Sequence, residues 1–410
     1  MDRYDAFAVT APGLAPVAAA ELARLGISVG EVEGGGVAFA GDFRAVFLAN
    51  LQLRTVSRVL VRVDEFRAAT FHELEKRTAR IDWSRWIAPG RDVALRVTCR
   101  KSRLYHSGAV AERVAGILAP GVGGVQLGAR DDGDDVNVGN DASDGNDTND
   151  GGQLAPQLVV VRLLHDRCTI SLDSSGALLH QRGYRLATGK APLRETLGAA
   201  LLLASGWAPG TPLVDPFCGA GTLAIEGALL ARRIAPGRHR AFALERWPGA
   251  DARVMSRLRD DVRARELPHA GAPIVASDRD AGAVDGARQN AERAGVAADI
   301  TFAVRPVSLA APPHEGAAGE AVVTKGAVGA VGAVVTNPPY GVRVGATGEL
   351  RNLYARTGAV LRAGFPGWRV AVVSADRRLT GQLGLALRDV VTTSNGGIPV
   401  TFAVGDVPGA

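Results

Sequence analysis

Three short strings in the second half of the chain combine residues that do chemistry with spacings that would aim them. The first is Leu213-Val214-Asp215-Pro216-Phe217-Cys218-Gly219-Ala220-Gly221-Thr222. An apolar run ends in an acid, turns through two glycines and enters a helical pattern that Thr222 is placed to cap. Glycine lacks the Cβ that would keep a ligand off the backbone, and the free N–H donors of a helix start suit a carboxylate. The phosphate-loop pattern GxxxxGK[ST] and the dinucleotide pattern GxGxxG are both missing here, so neither of those ligands is implied. Cys218 reads as loop packing and not as a nucleophile. In the second string, Ile274-Val275-Ala276-Ser277-Asp278-Arg279-Asp280, an apolar run again ends in acid. A carboxylate at such a strand tip, Asp278, can accept both hydroxyls of a ribose, while Asp280 fits the N-cap of the next helix. The third string is Val335-Thr336-Asn337-Pro338-Pro339-Tyr340-Gly341. Its prolines fix the backbone, so that the Asn337 side-chain oxygen and the Pro338 carbonyl become preorganised acceptors beside the face of Tyr340.

These strings need a frame that brings distant strand ends together. From residue 190 onward the sequence alternates: strands are predicted at Pro212–Val214, Pro273–Ser277, Ile300–Val304, Ala333–Thr336 and Trp368–Ser374, with helices at Leu223–Arg233, Ala281–Ala294 and Glu349–Arg362. Short apolar strands separated by amphipathic helices argue for an α/β fold with a parallel, doubly wound sheet. Val390–Thr393 and Val400–Val404 flank Ser394-Asn395-Gly396-Gly397 and read as a closing antiparallel hairpin. Residues 1–65 read strand, helix, strand, helix, strand (Ala6–Thr10, Pro12–Leu25, Val37–Phe39, Phe43–Asn50, Val56–Val63), which fits a small α+β domain. Residues 66–175 form a further region, with helices at Phe71–Arg80 and Gly108–Leu118 and strands at Asp92–Cys99, Leu158–Asp166 and Thr169–Asp173.

The chain has 410 residues, 47% of them hydrophobic, enough for two or three domains with full cores. No apolar run is long enough for a bilayer span and no signal peptide is evident, so a cytoplasmic protein is expected. Cys99, Cys168 and Cys218 make neither a disulfide framework nor a CxxC or Cys/His metal cluster, so a reducing compartment and no metal are expected. Net charge is +5, but residues 121–153 hold eight Asp and one Arg, a local −7, which leaves +12 on the rest. Such a balance suits a phosphate-rich partner. The acidic stretch is too poor in apolar residues to offset its ordering entropy and is expected to be a disordered insertion. Residues 310–332, rich in Ala, Gly and Pro, read as a second surface loop. In the first half, Arg100, Lys101 and Arg103 alternate with Tyr105 and His106, a mixture suited to phosphate contact plus base stacking.

The string Asp215–Thr222 resembles the cofactor motif of class I S-adenosylmethionine-dependent methyltransferases, whose acid meets the methionine ammonium. Asn337-Pro338-Pro339-Tyr340 is similar to the motif of methyltransferases that act on planar amino groups. Such a nitrogen is a poor nucleophile because its lone pair is delocalised. Hydrogen bonds to the Asn337 oxygen and the Pro338 carbonyl would localise that pair, and Tyr340 would stack an extruded base. Leu172–Arg185, Pro192–Ala200 and the Cys99–Val114 string extend the resemblance to the THUMP-containing 23S rRNA guanine-N2 methyltransferases and their tRNA guanine-N2 relatives. The resemblance covers most of the chain outside residues 121–153 and 310–332. It implies a ferredoxin-like domain over residues 1–65, a THUMP-like RNA-binding domain over 66–175 and a methyltransferase domain over 190–410. S-adenosylmethionine is the implied cofactor, held by Asp215, Phe217, Cys218, Gly219, Gly221, Thr222, Asp278, Arg279 and Asn337. Asn337, Pro338, Pro339 and Tyr340 are the implied catalytic residues. The implied partner is RNA, ribosomal ahead of transfer RNA, touched by Arg100, Lys101, Arg103, Tyr105, His106, Arg182 and Arg185; Arg182 and Arg185 could equally be structural partners. A DNA-adenine or protein-glutamine N-methyltransferase would also use Asn-Pro-Pro-Tyr, but the THUMP-like half argues against both; a ribosome-assembly factor without catalysis is a third alternative. After the third strand, where relatives usually carry an Asp near the adenine, this chain reads Val304-Arg305-Pro306-Val307-Ser308, so Ser308 or a backbone N–H is expected to substitute.

Overall fold

The computed structural model describes residues 3–129, 155–185, 193–315, 321–323, 331–340 and 347–409. They fall into two compact units: residues 1–11, 18–179 and 240–261 in the first, and residues 12–17, 180–239 and 262–410 in the second.

The chain begins β1 (Tyr4–Thr10), α1 (Ala15–Arg24), β2 (Ser28–Glu33), β3 (Gly36–Gly41), α2 (Phe43–Gln52) and β4 (Val56–Arg67). It continues α3 (Phe71–Thr78), β5 (Val93–Arg100), α4 (Ser107–Leu118), β6 (Val125–Ala129), β7 (Gln157–Leu164) and β8 (Arg167–Asp173). The eight strands form one sheet in the order β2-β3-β1-β4-β8-β7-β5-β6. Its first four strands are the antiparallel βαββαβ arrangement of a ferredoxin-like domain. The boundary expected at residue 65 falls inside β4, whose far edge pairs with β8, so both expected N-terminal regions share one sheet. β2 is an addition to the sequence reading. The acidic insertion was expected to start at residue 121, but Val125–Ala129 is the edge strand β6, parallel to β5; its apolar Val125 and Leu127 are enough to extend a sheet that β5 already presents. The rest of that stretch, from residue 130, lies outside the described residues.

The second unit contains α5 (Glu195–Ser205), β9 (Leu213–Asp215) and α6 (Thr222–Ala231). After α7 (Ala252–Arg263), which belongs to the first unit up to residue 261, come β10 (Ile274–Asp278), α8 (Ala281–Ala294) and β11 (Ile300–Val304). β12 (Pro313–Glu315) and β13 (Ala321–Val323) then pair as a small antiparallel ladder inside the stretch expected to be only a loop. The chain ends with β14 (Ala333–Thr336), α9 (Thr347–Gly364), β15 (Arg369–Ser374), α10 (Arg377–Gly381), β16 (Arg388–Asn395) and β17 (Ile398–Asp406). The sheet order is β11-β10-β9-β14-β15-β17-β16, parallel except for β17, which runs against both neighbours. This is the doubly wound sheet with a terminal hairpin. β9, β10 and β14 are apolar up to Asp215, to Ser277 and Asp278, and to Thr336, and buried except at Asp278, as strands covered on both faces must be. Among the described residues, no helix is long and apolar enough to cross a membrane.

Candidate active site

Strand order turns outward in both directions between β9 and β14, and at such a switch point the loops part to leave a crevice beyond the strand ends. Register places the chemistry there. β14 pairs with β9, Val334 opposite Val214, and β10 pairs with β9 on its other side, Ala276 opposite Asp215. Asp215, Asp278 and Asn337 therefore leave neighbouring strands at one edge of the sheet.

Asp215 is buried, and its Oδ1 accepts hydrogen bonds from the Thr336 hydroxyl at 2.7 Å and the Phe217 N–H at 3.2 Å. Burial raises its carboxyl to about 7; the two hydrogen bonds oppose that rise, and the nearby Asp278 charge adds to it. A cation arriving at Asp215 would relieve this desolvation. Thr336, the last residue of β14, ties the first motif to the third. Asp278 bridges the first motif to the second: Oδ2 accepts the Gly219 N–H and Oδ1 accepts the Asp280 N–H, both at 3.1 Å. Each carboxylate oxygen keeps a lone pair for a further donor. Asp280 caps α8 as expected, accepting from Gly282 and Ala283.

The two glycines serve different ends. At Gly219 φ is +48° and a Cβ would meet nothing within 4 Å, so the loop leaves open space above it. At Gly221 φ is +85° and a Cβ would lie 2.9 Å from that of Ala287, so glycine is what lets α6 approach α8. Gly221 itself occupies the N-cap of α6 and no side chain caps the helix. Thr222 is thus not the expected cap: it is the first helical residue, and its hydroxyl accepts a hydrogen bond from Arg185 at 2.6 Å. Cys218 is buried and burial pushes its thiol up, consistent with packing. Phe217 is half-buried, and Arg279 is exposed.

In the third motif the Asn337 side-chain oxygen is buried and has no hydrogen-bond partner among the described residues. Its frame is well tied. The Tyr354 hydroxyl donates to the Pro339 carbonyl at 3.4 Å, and Asn395 at the end of β16 donates to the Tyr340 hydroxyl at 3.2 Å. Burial raises the Tyr340 phenol, which keeps it neutral. Thr336, Tyr354 and Asn395 were absent from the sequence-based site. Thr336 had a signal, a polar residue closing a wholly apolar strand; Asn395 had been read only as part of a turn.

Among the expected RNA contacts the structure separates two groups. Lys101, Arg103, Tyr105 and His106 are exposed, Arg100 is half-buried, and the Tyr105 and His106 rings lie 4.1 Å apart. Leu104 anchors this loop in the core. Its backbone is held by the tight β7–β8 turn, where Asp166 accepts the Arg103 N–H at 2.7 Å and donates its own N–H to Ser102 at 3.0 Å. Arg182 and Arg185 are instead interior. Arg182 pairs with Glu226 of α6 at 3.4 Å, and Arg185 pairs with Glu195 of α5 at 3.0 Å, all four side chains largely buried. Two carboxylates carried into the unit by apolar helices need these cations, which is the structural role that the sequence left open for both arginines.

The sheet order, the terminal hairpin and the two acidic strand tips define a class I methyltransferase, for which S-adenosylmethionine is the methyl donor. The chain belongs to the family described as UPF0020, the RMKL-like methyltransferase domain, which matches residues 182–403; an RlmL ferredoxin-like domain matches residues 5–60. A putative RNA methyltransferase of Synechocystis is 32% identical over 97% of this chain and 95% of its own length. The ribosomal RNA large subunit methyltransferase K/L of Methylococcus capsulatus is 33% identical over 98% of this chain, which spans 51% of that protein. A crystal structure of a possible methylase from Clostridium difficile 630 is 28% identical, with a TM-score of 0.80 over 100% of this chain and 99% of that one. The residues here fit the cofactor: two acidic strand tips with lone pairs to offer, and open space above Gly219.

Proposed function

We propose that this protein is an RNA methyltransferase that forms N2-methylguanosine in large-subunit ribosomal RNA. The observation that carries the reading is the buried Asn337 oxygen without a donor. An unpaired buried acceptor costs about 1–3 kcal/mol, and an exocyclic amino group would satisfy it. That same bond draws the amino proton away from the ring and localises the nitrogen lone pair. The Pro338 carbonyl takes the second N–H, on a backbone that its own ring and the Tyr354 bond to Pro339 hold in place. Tyr340, steadied by Asn395, offers its face to the base. Asp215 would meet the methionine ammonium and Asp278 the ribose hydroxyls of S-adenosylmethionine, which supplies an already activated methyl. Catalysis by this chain is then positioning and amine polarisation. RNA as substrate is supported by the names of the relatives and by the exposed Tyr105–His106 pair among basic residues; an rRNA target puts the enzyme in the cytoplasm. Asn337→Ala should lower single-turnover methylation of protein-free ribosomal RNA by about 10²–10³ while leaving cofactor and RNA affinity nearly unchanged. Methylation of guanine at the wild-type rate would sink the proposal.

A further inference from the structure

Arg305 follows β11 directly, and its backbone N–H donates to the carbonyl of Asp278 at 2.8 Å. It therefore stands beside the strand tip assigned to the ribose. Its Nε and Nη2 atoms are buried and have no hydrogen-bond partner among the described residues. Guanidinium donors taken out of water without an acceptor are costly, and this cost falls on the residue whose backbone is bonded to Asp278. Arg182, Arg185 and Arg58 each face a buried carboxylate, although the Nε atoms of Arg58 and Arg185, like Nε and Nη1 of Arg91, also lack a hydrogen bond among the described residues.

A nucleoside whose ribose sits on Asp278 must send its base toward an adjoining strand. β10 lies between β9 and β11, and the β9 side holds Asp215, the proposed seat of the methionine end, so the base goes toward β11, which Arg305 follows. Adenine offers one amino donor group and several ring nitrogens that accept. An arginine only donates, so it cannot pair with the amino group and must address a ring nitrogen. Pro306, next in the chain, has no N–H to offer instead. Ser308 was the side chain expected to stand in for the usual Asp; it is half-buried, three residues beyond Arg305.

We infer that Arg305 is the adenine-reading residue of this site, donating from Nε and Nη2 to a ring nitrogen of the cofactor. The inference rests on the placement of the ribose at Asp278. Recognition here thus inverts the usual polarity, a cationic donor replacing a carboxylate acceptor.

The test is calorimetric titration of the full chain with S-adenosylhomocysteine and its 1-deaza, 3-deaza and 7-deaza forms. Wild type, Arg305→Met, Arg305→Lys and Asp278→Ala are compared, each first checked for its ligand-free unfolding temperature. Arg305→Met should weaken S-adenosylhomocysteine by about 10–100-fold, the range of a charged hydrogen bond. One deaza form should bind wild type about tenfold more weakly yet lose nothing further on Arg305→Met. Arg305→Lys, which keeps the charge without the fork, keeps the fold assessable if the methionine variant is unstable, and should also lose affinity. Wild-type affinity in both arginine variants, with a loss in Asp278→Ala, would overturn the arginine's role alone. An equal deaza penalty with and without Arg305 would do the same. No loss in any variant would overturn the ribose placement beneath it.

Discussion

Arg182-Gly183-Tyr184-Arg185 in the second unit and Arg100-Lys101-Ser102-Arg103-Leu104-Tyr105-His106 in the first mix arginine and tyrosine in similar ways, yet Tyr184 is 4% exposed and Tyr105 is 66% exposed. What separates them is the company that arrives from elsewhere. Glu226 and Glu195 lie on helices that the sheet buries, and they draw the first pair of arginines and the Tyr184 hydroxyl inward. In the second stretch Asp166 takes a backbone N–H from Arg103 and leaves that arginine 73% exposed at its side chain. A basic-aromatic composition therefore says that a charge will be compensated, not whether by a carboxylate or by a ligand.

The sharpest way to break this contrast is Arg182→Ala. With its cation gone, Glu226 is left charged in the interior, and urea unfolding should show a loss of about 3–5 kcal/mol. RNA binding per folded molecule should not change; a stable variant that has lost RNA affinity would return Arg182 to the RNA surface. Tyr105→Ala asks the converse. Unfolding should be untouched, while RNA affinity, measured by filter binding, should fall by about 1–3 kcal/mol if a base stacks there. A fall in stability with RNA affinity intact would make Tyr105 a packing residue. The smallest effect belongs to Lys101→Ala: a uniform weakening across RNA sequences, with the slope of log affinity against log salt reduced by roughly one. An unchanged slope would remove Lys101 from the phosphate contacts.

A fourth expectation concerns a carboxylate that is buried without a cation beside it among the described residues. The folded carboxyl of Asp215 is raised to about 7 from 3.8, so the native state holds its proton more tightly than the unfolded chain. Its contribution to ligand-free stability is present below the unfolded value and is lost as pH rises through about 7. Asp215→Asn should flatten the fall in unfolding free energy between these limits, as thermal unfolding at several pH values would show. A profile that the substitution leaves unchanged would mean that Asp215 is already ionised.

Much of the frame was legible for definite reasons. β11, β14 and α8 were bounded as found, because short apolar runs and the Asp280 cap leave no other local solution. β2 was not, since every residue in it is exposed and no apolar alternation betrays an edge strand. The acids and glycines of the site announced themselves through spacing. The residues that hold them did not: Arg182 meets Glu226 across 44 positions and Thr336 meets Asp215 across 121, distances over which sequence carries no local signal. Thr222 was misjudged as a cap because Gly221, free to adopt a positive φ, takes that place itself.

The way the two units share the chain bears on how such a protein can be recombined. Residues 240–261 lie in sequence between β9 and β10, yet they belong to the first unit. There Phe242 packs edge-on against Phe47 at 5.9 Å, and Trp247 against Trp86 at 5.5 Å. A single genetic crossover between residues 180 and 239 would separate those ring pairs and give each parent's aromatic pocket a stranger's side chains. Exchange of an intact first unit has to carry residues 240–261 along with 1–11 and 18–179. In this chain, then, the two units are inherited as a braid, and a change of the first unit without a matched change of residues 240–261 should be selected against at the level of folding.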